Sequence, residues 1–329
     1  MKQLAYAVIG IGGILALLIL GESTLIPFTY GVVLWFLSRY FTKLINQVPL
    51  IKKYAPAWSV STLAFITVIL VLGLVAQLIV TNIESLISSS DQYEASLQRV
   101  VDRINEQFQF DLYSKLMEQL QGLDYQTILG NVADSLSGAL GNTAMVLIYA
   151  AFIFSEESSF MTKIRKLFPK QEDYEHATGI LKKINDSAGD YIRLKTLVSL
   201  LTGAVGWVFL SIMGVEAAFF WAFLMFALNY IPTIGSLIAT LFPAVFSLLQ
   251  FGEIQPFIII LVGLGAIELL IGNVLEPRIM GKSLNLSPLV TILALVVWGV
   301  IWGITCMLLS TPITVIMVII FSQFERTRP

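Results

Sequence analysis

The chain has 329 residues, of which 57% are hydrophobic and 13% charged, with a net charge of −2 and a mean hydropathy of +0.82. Soluble domains carry about 25% charged and about 45–50% apolar residues, so the polar surface here is too small for a water-facing globule, and a soluble cytosolic enzyme is excluded. The near-neutral balance offers nucleic acid no basic field, while one cysteine (Cys306) and one histidine (His176) exclude an internal disulfide and histidine-based metal or nucleophile chemistry.

A helix crosses the ~30 Å hydrocarbon core with about 20 apolar residues, and the uncharged runs are easily found. Leu4–Leu20 and Ser23–Ser38 form a pair of short spans separated by Gly21 and Glu22. Lys2 with the first run resembles a signal peptide, but no small-x-small site follows it, so a retained span is expected. Ala55–Ile83 is long, and Ser135–Ser155 and Thr196–Val215 are each one span. Ala217–Gly252 is uncharged over 36 residues and Ser283–Phe324 over 42, while Ile254–Leu275 carries a single charge, Glu268. At 1.5 Å per residue, the shorter of the two longest runs would reach roughly 54 Å, so each must break or fold back. Pro232 and Gly235 are the breakers in one, Gly299, Gly303 and Pro312 in the other. Non-helical backbone at membrane depth persists only beside protein or a water-filled cavity, which makes both breaks candidates for a substrate path. The expected fold is an all-α polytopic membrane protein with about seven or eight transmembrane helices, broken or re-entrant segments and an extracellular helical insert.

Lys and Arg set the orientation. The connector after the second span holds Arg39, Lys43, Lys52 and Lys53, Glu156–Lys195 holds eight basic residues, and Arg278 with Lys282 and Arg326 with Arg328 add two clusters. Glu84–Asp134 has three basic residues against nine acids. The basic connectors therefore belong in the cytoplasm and the acidic stretch outside, with both termini cytoplasmic provided 283–324 folds back as a hairpin. The expected organisation is N-terminal transmembrane helices (1–83), an extracellular amphipathic insert (84–134), a transmembrane helix (135–155), a charged cytoplasmic linker (156–195) and a C-terminal transmembrane bundle (196–329).

Within the acidic stretch, Leu86, Ser90, Tyr93, Leu97, Val100 and Ile104 repeat at the a/d spacing of a helical seam. One helix is expected from about Trp58 to Phe108. A second turn set (Leu112, Leu116, Met117, Leu120) follows Asp111, and a third begins near Asp124. The stripe fits either a subunit-contacting or lid-like domain or an intramolecular hairpin hiding its own apolar face. Glu156–Lys195, dense in both charge signs, reads as a helical solvated linker held by lipid headgroups rather than a coupling element. His176 lies in it as a surface residue.

No G-x-x-x-x-G-K-[ST], H-E-x-x-H or G-x-S-x-G is present, so no ATP-driven motor, zinc-protease pair or nucleophile elbow is encoded. The aspartates all fall in the two water-facing segments, which removes an intramembrane aspartyl pair. The chain is not expected to be an enzyme or to need a cofactor or metal. Transport, conduction or scaffolding remains.

Three pieces of the last third join polar groups to broken helices. In Asn229-Tyr230-Ile231-Pro232-Thr233-Ile234-Gly235-Ser236, Pro232 removes a donor and Gly235 permits unusual angles. The freed carbonyls, Asn229, Thr233 and Ser236 then suit a polar solute or cation at a half-helix end. A tight turn between two spans explains the same residues equally well. Glu268 is a carboxylate flanked by apolar residues, costing at least ~2.5 kcal/mol at a helix centre and by default marking a pathway or proton relay; a bundle-interior glutamate bonded to a neighbour is the plainer alternative. Asn273, five residues further on and not quite on the same face, is counted with the substrate path. In Gly272–Lys282, Pro277 ends the span, and Glu276 and Arg278 bracket it as a candidate gate salt bridge or as a helix stop with Arg278 and Lys282 at the headgroups.

Phe226–Ser236 (FALNYIPTIGS), Asn273–Gly281 (NVLEPRIMG) and Ser287–Gly299 (SPLVTILALVVWG) closely resemble the autoinducer-2 exporter family of permeases. The span order is also similar, and the resemblance covers essentially the whole chain, with its specificity in residues 220–312. It implies a homo-oligomeric, all-helical permease in the cytoplasmic (inner) membrane of a prokaryote, working without ATP. Family members are credited with autoinducer-2 export or with sodium or lithium exchange for protons. The expected cargo is a small polar solute, with a monovalent cation as the alternative and a non-transporting scaffold as the third reading. Expected partners are the lipid bilayer and further copies of the chain, not nucleic acid. Among the family's C-terminal glycines this chain has Trp298 and Trp302, bulk that would narrow a path.

Overall fold

With no water in the bilayer core, a spanning backbone must satisfy its own N–H and C=O groups, as a helix or a closed barrel. The computed structural model describes residues 2–47, 56–89, 125–280 and 287–322, with Pro49, Tyr93, Ser96 and Arg99. Among the described residues all regular structure is helical. The elements are α1 (Lys2–Leu20), α2 (Glu22–Ile45), α3 (Ala57–Ser88), α4 (Tyr125–Leu167), α5 (Gln171–Ile212), α6 (Ala218–Leu228), α7 (Ile234–Phe251), α8 (Ile254–Glu268), a π-helical turn (Leu269–Leu275), α9 (Glu276–Met280) and α10 (Pro288–Phe321). Trp58–Ser88, Thr143–Leu167, Gln171–Ile212, Ile234–Phe251 and Ile254–Met280 are long and apolar enough to span a membrane. The α1–α2 pair makes a sixth candidate, bent by 85° at Gly21. The remaining apolar sequence forms three shorter helices, Ala218–Leu228, Leu289–Gly303 and Cys306–Phe321. The longest uncharged runs thus form short, broken pieces, and the described helices fit the expected all-α polytopic membrane fold with broken segments.

The segment read as a cytoplasmic linker has no separate structure. Its two halves extend α4 and α5, which meet at Phe168-Pro169-Lys170. Most of the acidic insert, including Ser90, Leu97, Val100, Ile104 and the Leu112–Leu120 turn set, lies outside the described residues, as does Lys282.

The chain divides into two compact units, Met1–Leu70 with Leu140–Leu194 and Lys282–Pro329, and Val71–Ala139 with Lys195–Gly281. In the first, Gly31 lets α2 approach α4 so closely that a Cβ would lie 3.0 Å from Tyr149 Cβ and 3.1 Å from Ala150 N. The Phe28 and Tyr149 rings meet edge to face beside it at 5.8 Å. At the charged end, Trp35 Nε1 donates to Glu157 Oε2 (2.8 Å), Arg39 Nε reaches Glu157 Oε1 (3.2 Å), and Arg39 Nη1 donates to Asn185 Oδ1 (3.2 Å). One carboxylate and one guanidinium thus tie α2, α4 and α5.

The run from 283 to 324 does fold back. Trp298 Nε1 donates to Thr314 Oγ1 at 3.2 Å, although 16 residues of straight helix would part them by about 24 Å. The turn falls at Trp302 (φ −134°, ψ 22°) and Gly303 (φ 61°, ψ −145°), not at Pro312. Trp302 Nε1 donates to Leu18 O at 2.8 Å, so both indoles fasten the hairpin.

In the second unit, α7 packs along α6 and α8 around Leu86, Leu210, Trp221, Met225, Phe246 and Leu264. Helix α5 ends with Gly214 in the left-handed region (φ 70°) and Val215 N bonded to Leu210 O at 3.0 Å, a C-cap that closes orphan carbonyls. Leu86 and Tyr93 of the a/d stripe pack on this core, so the described part of the stripe is covered by its own chain. Tyr93 OH donates to Glu216 Oε2 at 2.5 Å, and Gln250 bridges Glu216 N and Gly214 O, both at 2.8 Å. Burial, then the bond to Glu216, hold the Tyr93 phenol above its usual range.

Gly303 has no atom within 4 Å of a built Cβ, so Gly303→Ala tests backbone strain alone. It is expected to lower unfolding stability by about 1–3 kcal/mol in detergent thermal melts. Gly265→Ala, equally unhindered and within α8, is expected to raise it by roughly 0.5–1 kcal/mol.

Candidate functional site

The cleft of the first unit, about 80 Å³ and lined by Arg39, Tyr40, Lys43, Asn185, Asp190 and Arg193, has its guanidiniums already engaged. Arg39 meets Glu157, and Arg193 Nη2 lies 3.2 Å from Asp190. The second unit instead gathers buried polar groups around one face of α5.

That face begins at Lys195, which is 5% exposed, and continues one and two turns on with Ser199 and Thr202, both fully buried. The i, i+4, i+7 spacing puts all three on one stripe. Lys195 Nζ donates to Glu276 Oε1 at 2.5 Å, across 81 residues of sequence. One turn along, Asn229 Nδ2 donates to Ser199 Oγ at 3.1 Å. Thr196 Oγ1 and Tyr230 OH share a hydrogen bond at 2.6 Å. The helix break at 229–236 is thereby fastened to α5 by the first two residues of the break.

Glu268 closes α8 and is 7% exposed. Its Oε1 is buried and has no hydrogen-bond partner among the described residues, while Lys195 and Glu276 both act on it electrostatically. Between the two glutamates lies the π-helical turn, in which Glu276 N bonds Ile271 O, five residues back. Such turns are rare and frequent at functional sites.

The break itself is a strained corner. Ile234 N bonds Pro232 O at 2.7 Å with Thr233 between them at φ 65°, ψ −55°, the geometry of a γ-turn that a β-branched residue adopts only under strain. Gly235 is buried, and a Cβ there would strike the Leu228 carbonyl, 2.7 Å from its carbon. Ser236 Oγ donates to Thr233 O at 3.0 Å.

Of the residues read from sequence, the structure brings Asn229, Glu268 and Glu276 to one stripe of α5. Pro232, Thr233, Gly235 and Ser236 form the corner next to it, with the Thr233 side chain exposed. Asn273 is exposed on the π turn beside Leu269, Leu270 and Val274, away from that stripe. The proposed Glu276–Arg278 bridge is absent: Glu276 takes Lys195, and Arg278 is exposed with no ion-pair partner among the described residues. Two residues apart on a short helix, Glu276 and Arg278 point to different faces. Sequence reading missed Lys195 because it sits at the end of a charge-rich stretch and passes for a headgroup anchor. The signal was its spacing to Ser199 and Thr202 inside the next span.

The chain is similar to known proteins over most of its length. The family model described as AI-2E family transporter matches residues 5–326. The AI-2 transport protein TqsA of Escherichia coli (strain K12) is 37% identical over 197 residues, which is 60% of this chain and 56% of TqsA; the chain thus spans little more than half of that relative. YhhT of the same organism is 30% identical over 257 residues, 77% of this chain and 72% of YhhT. A Haemophilus influenzae relative is 29% identical over 321 residues, 95% of this chain and 90% of its own.

Removing one partner of a buried ion pair strands the other. Lys195→Met is expected to cost about 3–5 kcal/mol of unfolding stability, and adding Glu276→Leu to recover most of it, read by denaturant titration in detergent. At the corner the signs should be opposite. Thr233→Gly is expected to gain about 1 kcal/mol or more by releasing the strained φ, and Gly235→Ala to lose about 1–3 kcal/mol by overpacking.

Proposed function

The chain belongs to the AI-2E transporter family, and from that premise we propose that it moves a small polar solute of the quorum-sensing signal type across the cytoplasmic membrane without ATP hydrolysis. The observation that carries this reading is Glu268. A carboxylate oxygen lies buried with no hydrogen-bond partner among the described residues, where α8 passes into the π turn, and an ionisable group in an apolar span is expensive and marks a pathway. Asn229 and the Pro232–Ser236 corner shape the adjoining polar wall, Glu268 couples protons, and Glu276 forms the gate with Lys195. Arg278 anchors the helix end at the headgroups. The working form is a homo-oligomer with both termini in the cytoplasm.

A second reading has one observation in its favour. Lys195, Glu276 and Glu268 together carry a net charge of −1 when both acids are ionised, a balance that suits a monovalent cation. Sodium or lithium exchange for protons would then be the activity.

Flux in proteoliposomes with a pH-sensitive dye inside separates the two. Passage of labelled autoinducer-2 is expected, and a dye response to sodium or lithium alone would replace the first reading by the second. Glu268→Gln is expected to abolish the pH dependence of transport while leaving the unfolding midpoint in place; unchanged pH dependence removes the coupling role.

A further inference from the structure

We propose that Lys195 is a shared counter-ion that passes between Glu276 and Glu268, with the π-helical turn between the two glutamates as the element that moves. The inference deepens the transport reading above and rests on it for its role in the cycle.

Lys195 Nζ is an ammonium with three donors, 2.5 Å from Glu276 Oε1 and buried where water cannot complete its shell. A second carboxylate, Glu268, stands in the electrostatic field of the same ammonium with a buried oxygen that no described residue bonds. One cation thus faces two anions and holds one of them. A buried charge left unpaired is costly, so the ammonium cannot leave Glu276 for an apolar wall. It can leave only for the other carboxylate. Among the described residues, Lys195 and Glu276 are the charged groups that act on Glu268, and α7, which packs against α8, carries no titratable side chain.

The connection between the glutamates supplies the movement. A π turn holds one residue more per turn than an α-helix. Its conversion to α geometry between Leu269 and Leu275 would rotate Glu276 about the helix axis relative to Glu268 by roughly one residue's step, ~100°. Lys195 lies on a separate helix and stays in place. The same rotation that takes Glu276 away from Lys195 therefore leaves the ammonium to Glu268. Lysine suits this role because its flexible four-carbon stem carries a compact charge with rotatable donors.

Zero-length cross-linking tests the exchange in the full-length protein in membranes. An apolar carbodiimide activates a protonated carboxyl as an O-acylisourea. A neighbouring amine then attacks the carbonyl carbon, forming an amide and releasing the urea, which keeps the carboxyl oxygen. Two isopeptide links are expected by mass spectrometry in the native chain, Lys195–Glu276 and Lys195–Glu268. In Glu276→Gln the Lys195–Glu268 link is expected to rise several-fold. A native chain that yields only Lys195–Glu276, or only a Glu268 acylurea without the link, or no adduct at Glu268, overturns the exchange. Flux of labelled autoinducer-2 is read separately. Both links without flux leave the exchange standing and overturn the transport reading; flux without the second link does the reverse.

Discussion

The contact between Lys195 and Glu276, set among the buried polar groups of a mostly apolar bundle, is the constraint from which the arrangement of the second unit follows. An ammonium taken out of water is tolerated only with a carboxylate against it and hydrogen bonds around it. Once Lys195 is inside, the polypeptide 81 residues later has to return to it, and α8 must end in a way that presents two acids. The π turn accomplishes that by widening the helix just ahead of Pro277, which does not end the span as its sequence suggests, since the helix continues to Met280. On α5 itself the polar stripe goes on through Ser199, which receives Asn229. A single buried charge therefore organises both irregular segments of the unit.

Those irregular segments share a physical reason for being where they are. A helix corner frees carbonyls and amides that hydrocarbon cannot satisfy. The 229–236 corner answers with short-range bonds of its own: Ile234 N to Pro232 O, Gly235 N to Ile231 O and Tyr230 N to Ala227 O. The cost is Thr233 held at positive φ and a glycine required at 235. Strain of this kind persists where the surroundings over-determine it, here through Asn229 and Tyr230 fastened to α5. The Gly303 hairpin of the first unit uses a different solution. There the tryptophan N–H groups reach a threonine and a backbone carbonyl, and glycine carries the extreme backbone angles.

Much of this was legible in the sequence, and the part that was not has an identifiable cause. Hydropathy and the 1.5 Å rise were enough to require breaks in both long runs, since no single helix of such length fits a bilayer. Proline and glycine act locally, and they located the first break at Pro232–Gly235; for the second they offered Gly299, Gly303 and Pro312, of which the chain turns only at Gly303. What local chemistry does not encode is partner choice. Glu276 has Arg278 two residues away and Lys195 far off in the chain, and neighbours in sequence at that spacing do not face each other on a helix. Burial chose the distant lysine. The continuity of α5 also escaped the reading, since a charged helical stretch flowing without a breaker into an apolar run reads as linker plus span, whereas the backbone forms one helix, Gln171–Ile212.

The position of Lys195 on that helix has a consequence for how the two kinds of surface are joined. The charged portion of α5 lies on the N-terminal side of Lys195 and the uncharged run on its C-terminal side, with no proline or glycine break at the boundary. Helical hydrogen bonds run through the junction, so the ammonium is carried on a rigid element rather than on a loop. A rigid mount keeps the cation's location fixed while its stem reorients. The carboxylates, in contrast, are mounted on either side of a π turn, an irregular hydrogen-bond register of a kind frequent at functional sites. In a low-dielectric interior the attraction between such charges is strong and falls only as the inverse of their separation, so Lys195 stays in the field of both carboxylates while its hydrogen bond to Glu276 Oε1 sets which of them it holds.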